Sequence, residues 1–162
     1  MRQWVFVLVL MSTAVCHAGY VDEVSADSPL AHYRFEHSLV RDDSGNGHDS
    51  LTVSNVSFEL GTVGQAGVFS NAYVEVDLQL DPAAGDFSIE ALVRFDTTDS
   101  DRHIAAQQDG TGQGRSLLFR TDGGFLRSYL GGSSRTSSNS LSQGEWHHVV
   151  MTYNFDDAIL IF

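Results

Sequence analysis

Between Phe87 and Phe95 the chain alternates: Phe87, Ile89, Ala91, Val93 and Phe95 fall on one face, Ser88, Glu90, Leu92 and Arg94 on the other. A period of two is the mark of a strand with one buried face. Tyr73 to Leu78 (YVEVDL) repeats the pattern, with Val74, Val76 and Leu78 on the apolar side. Further strands are predicted over Ala31 to Phe35, Leu51 to Phe58, Ile104 to Gln108, Ser116 to Arg120, Leu126 to Leu130 and Trp146 to Tyr153. Ser44-Gly45-Asn46-Gly47, Asp122-Gly123-Gly124 and Gly131-Gly132 separate them, with residue types that accept positive φ. Arg115 to Arg127 therefore reads as a hairpin about Asp122-Gly123-Gly124. Ser133 to Ser140 (SSRTSSNS) fits either a solvated edge strand or a mobile loop. No helical period follows the first eighteen residues, and the spacing of short strands argues for an all-β sandwich or barrel.

The N-terminus breaks this pattern. Arg2 precedes the apolar run Trp4 to Met11 (WVFVLVLM), and a polar, small-residue stretch follows to Ala18. Cys16 and Ala18 occupy the −3 and −1 positions of a cleavage site before Gly19, so residues 1–18 read as a secretory signal peptide. The run is well short of the roughly 20 apolar residues that span a bilayer. Three other readings are a buried core strand, a membrane anchor and a lipid anchor on Cys16, the last poorly matched by Val15 just before it. Export implies a secreted, cell-surface or periplasmic protein, with no membrane insertion once the signal is cut. Residues 19–28 form a short acidic lead-in, and 29–162 are one domain's length. Cys16 is the only cysteine, so the processed chain has no disulfide and no thiol chemistry.

Charge narrows the partners. The chain carries 21 Asp and Glu against nine Arg and no Lys, a net charge of −12. Such a surface repels nucleic acid and anionic lipid. Asp outnumbers Glu, as suits turns, caps and cation sites.

Several blocks in order resemble the concanavalin A-like, LamG-type jelly-roll family. They are Leu30-Ala31-His32-Tyr33-Arg34-Phe35, Asp43 to Asp49 (DSGNGHD), Gly64 to Phe69 (GQAGVF), Ala72 to Val76 (AYVEV), Asp86 to Val93 (DFSIEALV) and Gly144 to Tyr153 (GEWHHVVMTY). The resemblance covers Pro29 to the end. It implies a two-sheet antiparallel sandwich, incomplete at its C-terminal end: the strand begun in Ala158 to Phe162 (AILIF) is expected to run into an Asn-Gly turn and about two more strands. An unpaired apolar end is a poor finish for a sheet, so a fragment, or a sheet completed by a partner or a further segment, is expected.

Four clusters carry candidate chemistry. Glu75-Val76-Asp77-Leu78-Gln79 approaches the Glu-x-Asp-x-Glu strand of laminarinase-type glycosidases, which share the fold. A retaining mechanism needs two carboxyl groups, and Gln79 can neither protonate a leaving group nor activate water. No catalytic residue is therefore assigned. His147 and His148 are adjacent, so on a strand they face opposite ways and cannot readily share an ion. The expectation there is structural: Trp146 largely buried, one His bonded within the fold, the other exposed. The loop Asp42 to Asp49 is the candidate calcium site, with Asp43, Asn46 and Asp49 supplying side-chain oxygens; jelly rolls of this type often carry a structural calcium. The competing reading is an Asx-turn that satisfies its own backbone. No other cofactor is required. Asn55-Val56-Ser57 matches a glycosylation acceptor.

The leading reading is an exported, non-catalytic recognition module for a glycan or an extracellular protein, with Tyr129, Arg127 and Arg135 as ligand contacts. Aromatic rings stack on sugar faces, and Arg reaches carboxylates or sulfates. The alternatives are a truncated relative or appendage of a sandwich-fold polysaccharide-degrading enzyme, and a structural or adhesion surface protein.

Overall fold

A computed structural model describes residues 3–7, 22, 24–36, 40–98, 100–107, 117–130, 132–156 and 158–161. The cleavage site at Cys16, Ala18 and Gly19, and the predicted positions Arg115, Ser116, Gly131 and Phe162, lie outside these. The regular structure of the described chain is nearly all strand, apart from a short helical stretch at 24–26 in the lead-in, and all but one of its strand pairings with a stated register are antiparallel.

The chain divides into two compact units. The N-terminal unit holds residues 3–78 together with 89–92. It contains β1 (Gln3–Val7), β2 (Ala31–Tyr33), β3 (Ser50–Ser54), β4 (Ser57–Leu60), β5 (Gln65–Val68), β6 (Tyr73–Val76) and the middle of β7 (Phe87–Arg94). Strand β3 pairs with β6, and β4 with β5. The segment expected as one strand from Leu51 to Phe58 is two strands. Asn55 turns the chain at φ 56°, a left-handed conformation that Asn tolerates better than most residues. Strand β5 escapes the alternation rule because Gln-Ala-Gly-Val has little β character. Its Gly67 is nevertheless fixed by packing. An added Cβ would lie 2.8 Å from the Phe69 ring and 2.9 Å from that of Phe35, two rings packed edge to face. The predicted leader contributes β1, which runs parallel to β2 with Val5 opposite Ala31 and Val7 opposite Tyr33. Ala31, Tyr33, Phe35, Val40, Ala66, Ile89 and Ala91 are buried.

The C-terminal unit holds residues 79–88 and 93–162. Its main feature is a four-stranded antiparallel sheet, ordered β11 (Ser133–Ser140), β10 (Phe125–Leu130), β9 (Leu117–Asp122), β8 (Arg102–Gln107). The polar segment is thus an edge strand, and its hydroxyl-rich side chains suit an edge that must stay in water. Asp122 pairs with Phe125 across a two-residue turn. Gly123 and Gly124 have φ of 58° and 86°, the two left-handed residues that such a turn requires. Strand β12 (Trp146–Asn154) pairs with β13 (Ala158–Ile161), so the apolar segment at 158–161 is paired along its length. Strand β13 also lies against β10 and β11. Phe87 and Ser88 of β7 meet β12 through a ring contact with Tyr153 and a 3.0 Å hydrogen bond to Thr152. Leu117, Phe119, Leu126, Leu130, Val149 and Met151 form the buried centre.

Candidate functional site

Strands β9 and β10 alternate cleanly between buried and open positions. Leu117, Phe119, Thr121, Leu126, Ser128 and Leu130 face inward and are buried. Their neighbours Leu118, Arg120, Asp122, Phe125, Arg127 and Tyr129 face outward. The strand registers assemble these into cross-strand rows. His103, Arg120, Arg127 and Thr136 lie side by side, and Ala106, Leu118, Tyr129 and Ser134 form the next row. Directly opposed side chains in an antiparallel pair stand about 5 Å apart at Cβ. Arg127 and Tyr129, two of the sequence-predicted ligand residues, therefore share one face. Arg135 does not join them. It stands opposite Ser128, whose side chain points inward, so Arg135 belongs to the other face of the edge strand. There it is exposed and donates to the Ser134 carbonyl at 3.0 Å.

The outer face is wired by charge. Arg127 Nη1 donates to Asp122 Oδ2, and Arg120 Nη1 donates to Asp101 Oδ2. Arg120 Nη2 lies 3.7 Å from the same Asp122 oxygen. One carboxylate thus bridges two guanidinium groups that face each other across the sheet. Their side chains remain open to water, 22% for Arg120 and 39% for Arg127. Beside this cluster lie Tyr129, Leu118 and the exposed Phe125. The chemistry on offer is donors, acceptors and apolar ring surface within a few residues of one another.

Arg120, Asp101, Asp122 and Leu118 were not among the predicted contacts. The signal for two of them is arithmetic. Positions equidistant from a two-residue turn pair across it, so Gly123-Gly124 puts Arg120 opposite Arg127 and Leu118 opposite Tyr129.

The predicted calcium loop has a different character. Its centre is Asp42, which is buried and accepts N–H bonds from His32 and Ser44 at 2.9 Å and from His48 at 3.0 Å. Asp49 Oδ1 accepts the Asp42 N–H at 2.9 Å. Asp43 pairs with Arg34 at 2.5 Å. Asn46 turns its amide nitrogen to the carbonyls of Pro29 and Leu30, each at 3.0 Å. Tyr33 donates to the His48 carbonyl, and His48 Nδ1 to that of Asp77, both at 2.7 Å. Asp43, Asn46 and Asp49 thus share a loop, and each has a protein partner, Asp49 within the loop and the other two on residues 29–34. Among the described residues no cluster of three or more His, Cys, Asp or Glu is arranged to hold a metal ion. Burial by itself raises the Asp42 pKa, but hydrogen bonds from Ser44, His32 and His48 together outweigh it and leave the carboxyl below its ordinary value.

Glu75, Asp77 and Gln79 are all exposed, and β6 ends at Val76. His147 is half-buried and Nε2 donates to the Ser142 carbonyl at 3.0 Å; His148 is exposed. Trp146 is half-buried rather than largely so: it stands at the start of β12, with the Arg94 guanidinium over its ring, 5.2 Å from the ring centre. Asn55 is exposed in the turn between β3 and β4.

An all-β chain with antiparallel sheets, one of them presenting a polar and aromatic outer face, falls in the class of lectin-like sandwiches. Residues 67–162 match a laminin G-type family model described as the concanavalin A-like lectin/glucanases superfamily, and the chain belongs to that superfamily. No curated protein matches the chain. The superfamily's name spans both sugar-binding and sugar-cleaving proteins, so the choice between them rests on this chain's own residues.

Proposed function

We propose that the chain is an exported, non-catalytic recognition module that binds a glycan on the outer face of β8–β11. The observation that carries this is the juxtaposition of Tyr129 and Leu118 with the Arg120–Asp122–Arg127 cluster. An aromatic ring offers a platform for a sugar face, and alternating carboxylate and guanidinium groups match the donors and acceptors of sugar hydroxyls. Two features favour binding over hydrolysis. The glycosidase-like segment has Gln79 in place of its third carboxylate, and its Glu75 and Asp77 stand exposed, with Asp77 beyond the end of β6. Export rests on the sequence of residues 1–18 and predicts a processed chain beginning at Gly19.

The test is a glycan array probed with the purified full chain, beside a reducing-sugar assay on β-glucans. Selective array binding with no sugar release supports the proposal. Sugar release would replace it with the enzymatic reading, and a blank array would replace it with a protein-binding or structural role.

A further inference from the structure

The arginines of this acidic chain are not spread evenly. The strands β8–β11 carry four of the nine, Arg102, Arg120, Arg127 and Arg135, and a single acidic residue, Asp122. The rest of the chain holds five Arg against twenty Asp and Glu. Asp101, which precedes β8 and pairs with Arg120, cuts that excess to two, and Arg135 stands on the opposite face, so the sheet is a mildly basic island in a molecule of net charge −12.

Within the island, Arg120 and Arg127 stand directly opposite each other. Like charges so placed destabilise a sheet unless an anion lies between them. Here the anion is the Asp122 carboxylate, one oxygen of which serves both guanidiniums. Each guanidinium has five N–H donors. Asp122 and Asp101 engage only some of them, and the remainder have no protein partner among the described residues.

We propose, building on the glycan-binding reading above, that Arg120 and Arg127 are a clamp for the carboxylate of a uronate-bearing polysaccharide, with Asp122 as its resident counter-ion. A carboxylate, rather than a sulfate, is the group the pair already holds. Tyr129 lies on the same face, two residues from Arg127, where a neighbouring sugar ring can stack. The acidity of the rest of the chain does not forbid an anionic ligand, because charges more than about 8 Å away are largely screened at physiological salt. Asp122 competes with the ligand for the same donors, so it restrains affinity while keeping the two guanidiniums in place.

Calorimetric titration of the full chain with polygalacturonate, dextran sulfate and a neutral β-glucan tests this. Polygalacturonate is expected to bind most tightly. Arg120→Gln and Arg127→Gln are each expected to weaken it about tenfold, the worth of one charge-assisted hydrogen bond, without affecting the neutral glucan. Asp122→Asn is expected to tighten it, a gain that misfolding cannot mimic. The inference is overturned if the neutral glucan binds as well as polygalacturonate, if dextran sulfate binds more tightly, if the two Arg variants bind polygalacturonate unchanged, or if Asp122→Asn weakens binding. In each of those results a glycan is still bound, so the broader reading survives. Binding of none of the three polymers, together with a blank array, would overturn both.

Discussion

The loop around Asp42 and the outer face of β8–β11 are built from the same residue types, Asp, Arg, His, Ser and Gly, yet they use them in opposite ways. In the loop the side chains turn mainly toward backbone, the Asp43–Arg34 ion pair being the exception. Asp42 takes three N–H groups, Asp49 takes one, and Asn46 gives its amide to two carbonyls. On the sheet, Arg120, Arg127 and Asp122 turn toward one another and toward water, with donors to spare. A polar cluster that satisfies the main chain holds a fold together; one that leaves directed groups at an exposed aromatic face can recognise something.

The contrast fails first if the loop proves dispensable. Asp42→Ala strands three N–H groups in a buried setting and should cost about 3 kcal/mol of unfolding free energy in a denaturant titration. A loss within experimental error of zero would make the loop a passive linker.

Acidification probes the same region. His32 is buried, and burial above all lowers its pKa below 6.5; its Nε2 has no hydrogen-bond partner among the described residues. The unfolded chain binds a proton there before the folded one does, so this contribution to stability is whole above pH 6.5 and declines as pH falls from that value toward the folded pKa. Asp42, whose pKa is lowered from 3.8, adds a second decline as pH falls through its own depressed value. Melting curves from pH 8 to 3 should show both, and His32→Gln should erase the upper one alone. An upper decline that persists in that variant would place its origin elsewhere.

On the recognition side, Tyr129→Ala should weaken glycan binding by about 1 kcal/mol, roughly fivefold, and leave the melting temperature nearly unchanged. A large drop in melting temperature would make Tyr129 a packing residue. The smallest effect concerns calcium. Asp43 and Asp49 already have cationic or N–H partners, so chelator and calcium are expected to give the same melting temperature. A clear upward shift with calcium would make the loop an ion site.

Much of this was legible in the sequence, and for stated reasons. Strand β7 was, because Phe87, Ile89 and Ala91 are apolar at a spacing of two and buried. The β9–β10 hairpin was, because Gly123-Gly124 permits only a narrow set of turns. Strand β5 was not, since its position follows from Gly67 fitting against Phe69 and against Phe35, the latter thirty-two residues away in the chain. The same holds for Arg135. Its chemistry matches that of Arg127, but the register of an edge strand decides its face, and a one-residue change of register reverses every side chain. That register is set by the two-residue turn between Leu130 and Ser133, which puts Arg135 opposite Ser128, so its face follows only once Ser133–Ser140 is known to pair as a strand rather than form a loop. In the loop, the residue types that pointed to an ion, Asp43, Asn46 and Asp49, equally suit bonds to protein partners such as Arg34, the Pro29 carbonyl and the Asp42 N–H, and residue type alone does not separate the two uses.

The central claim is that recognition belongs to the outer face of β8–β11 and not to the Asp42 loop. Backbone amide shifts of the isotope-labelled chain, followed during titration with a uronate oligosaccharide, test it most directly. The account predicts changes concentrated at Leu118, Arg120, Asp122, Arg127 and Tyr129, with the amides of residues 42–49 unmoved. Changes centred on residues 42–49, with the sheet silent, would contradict it.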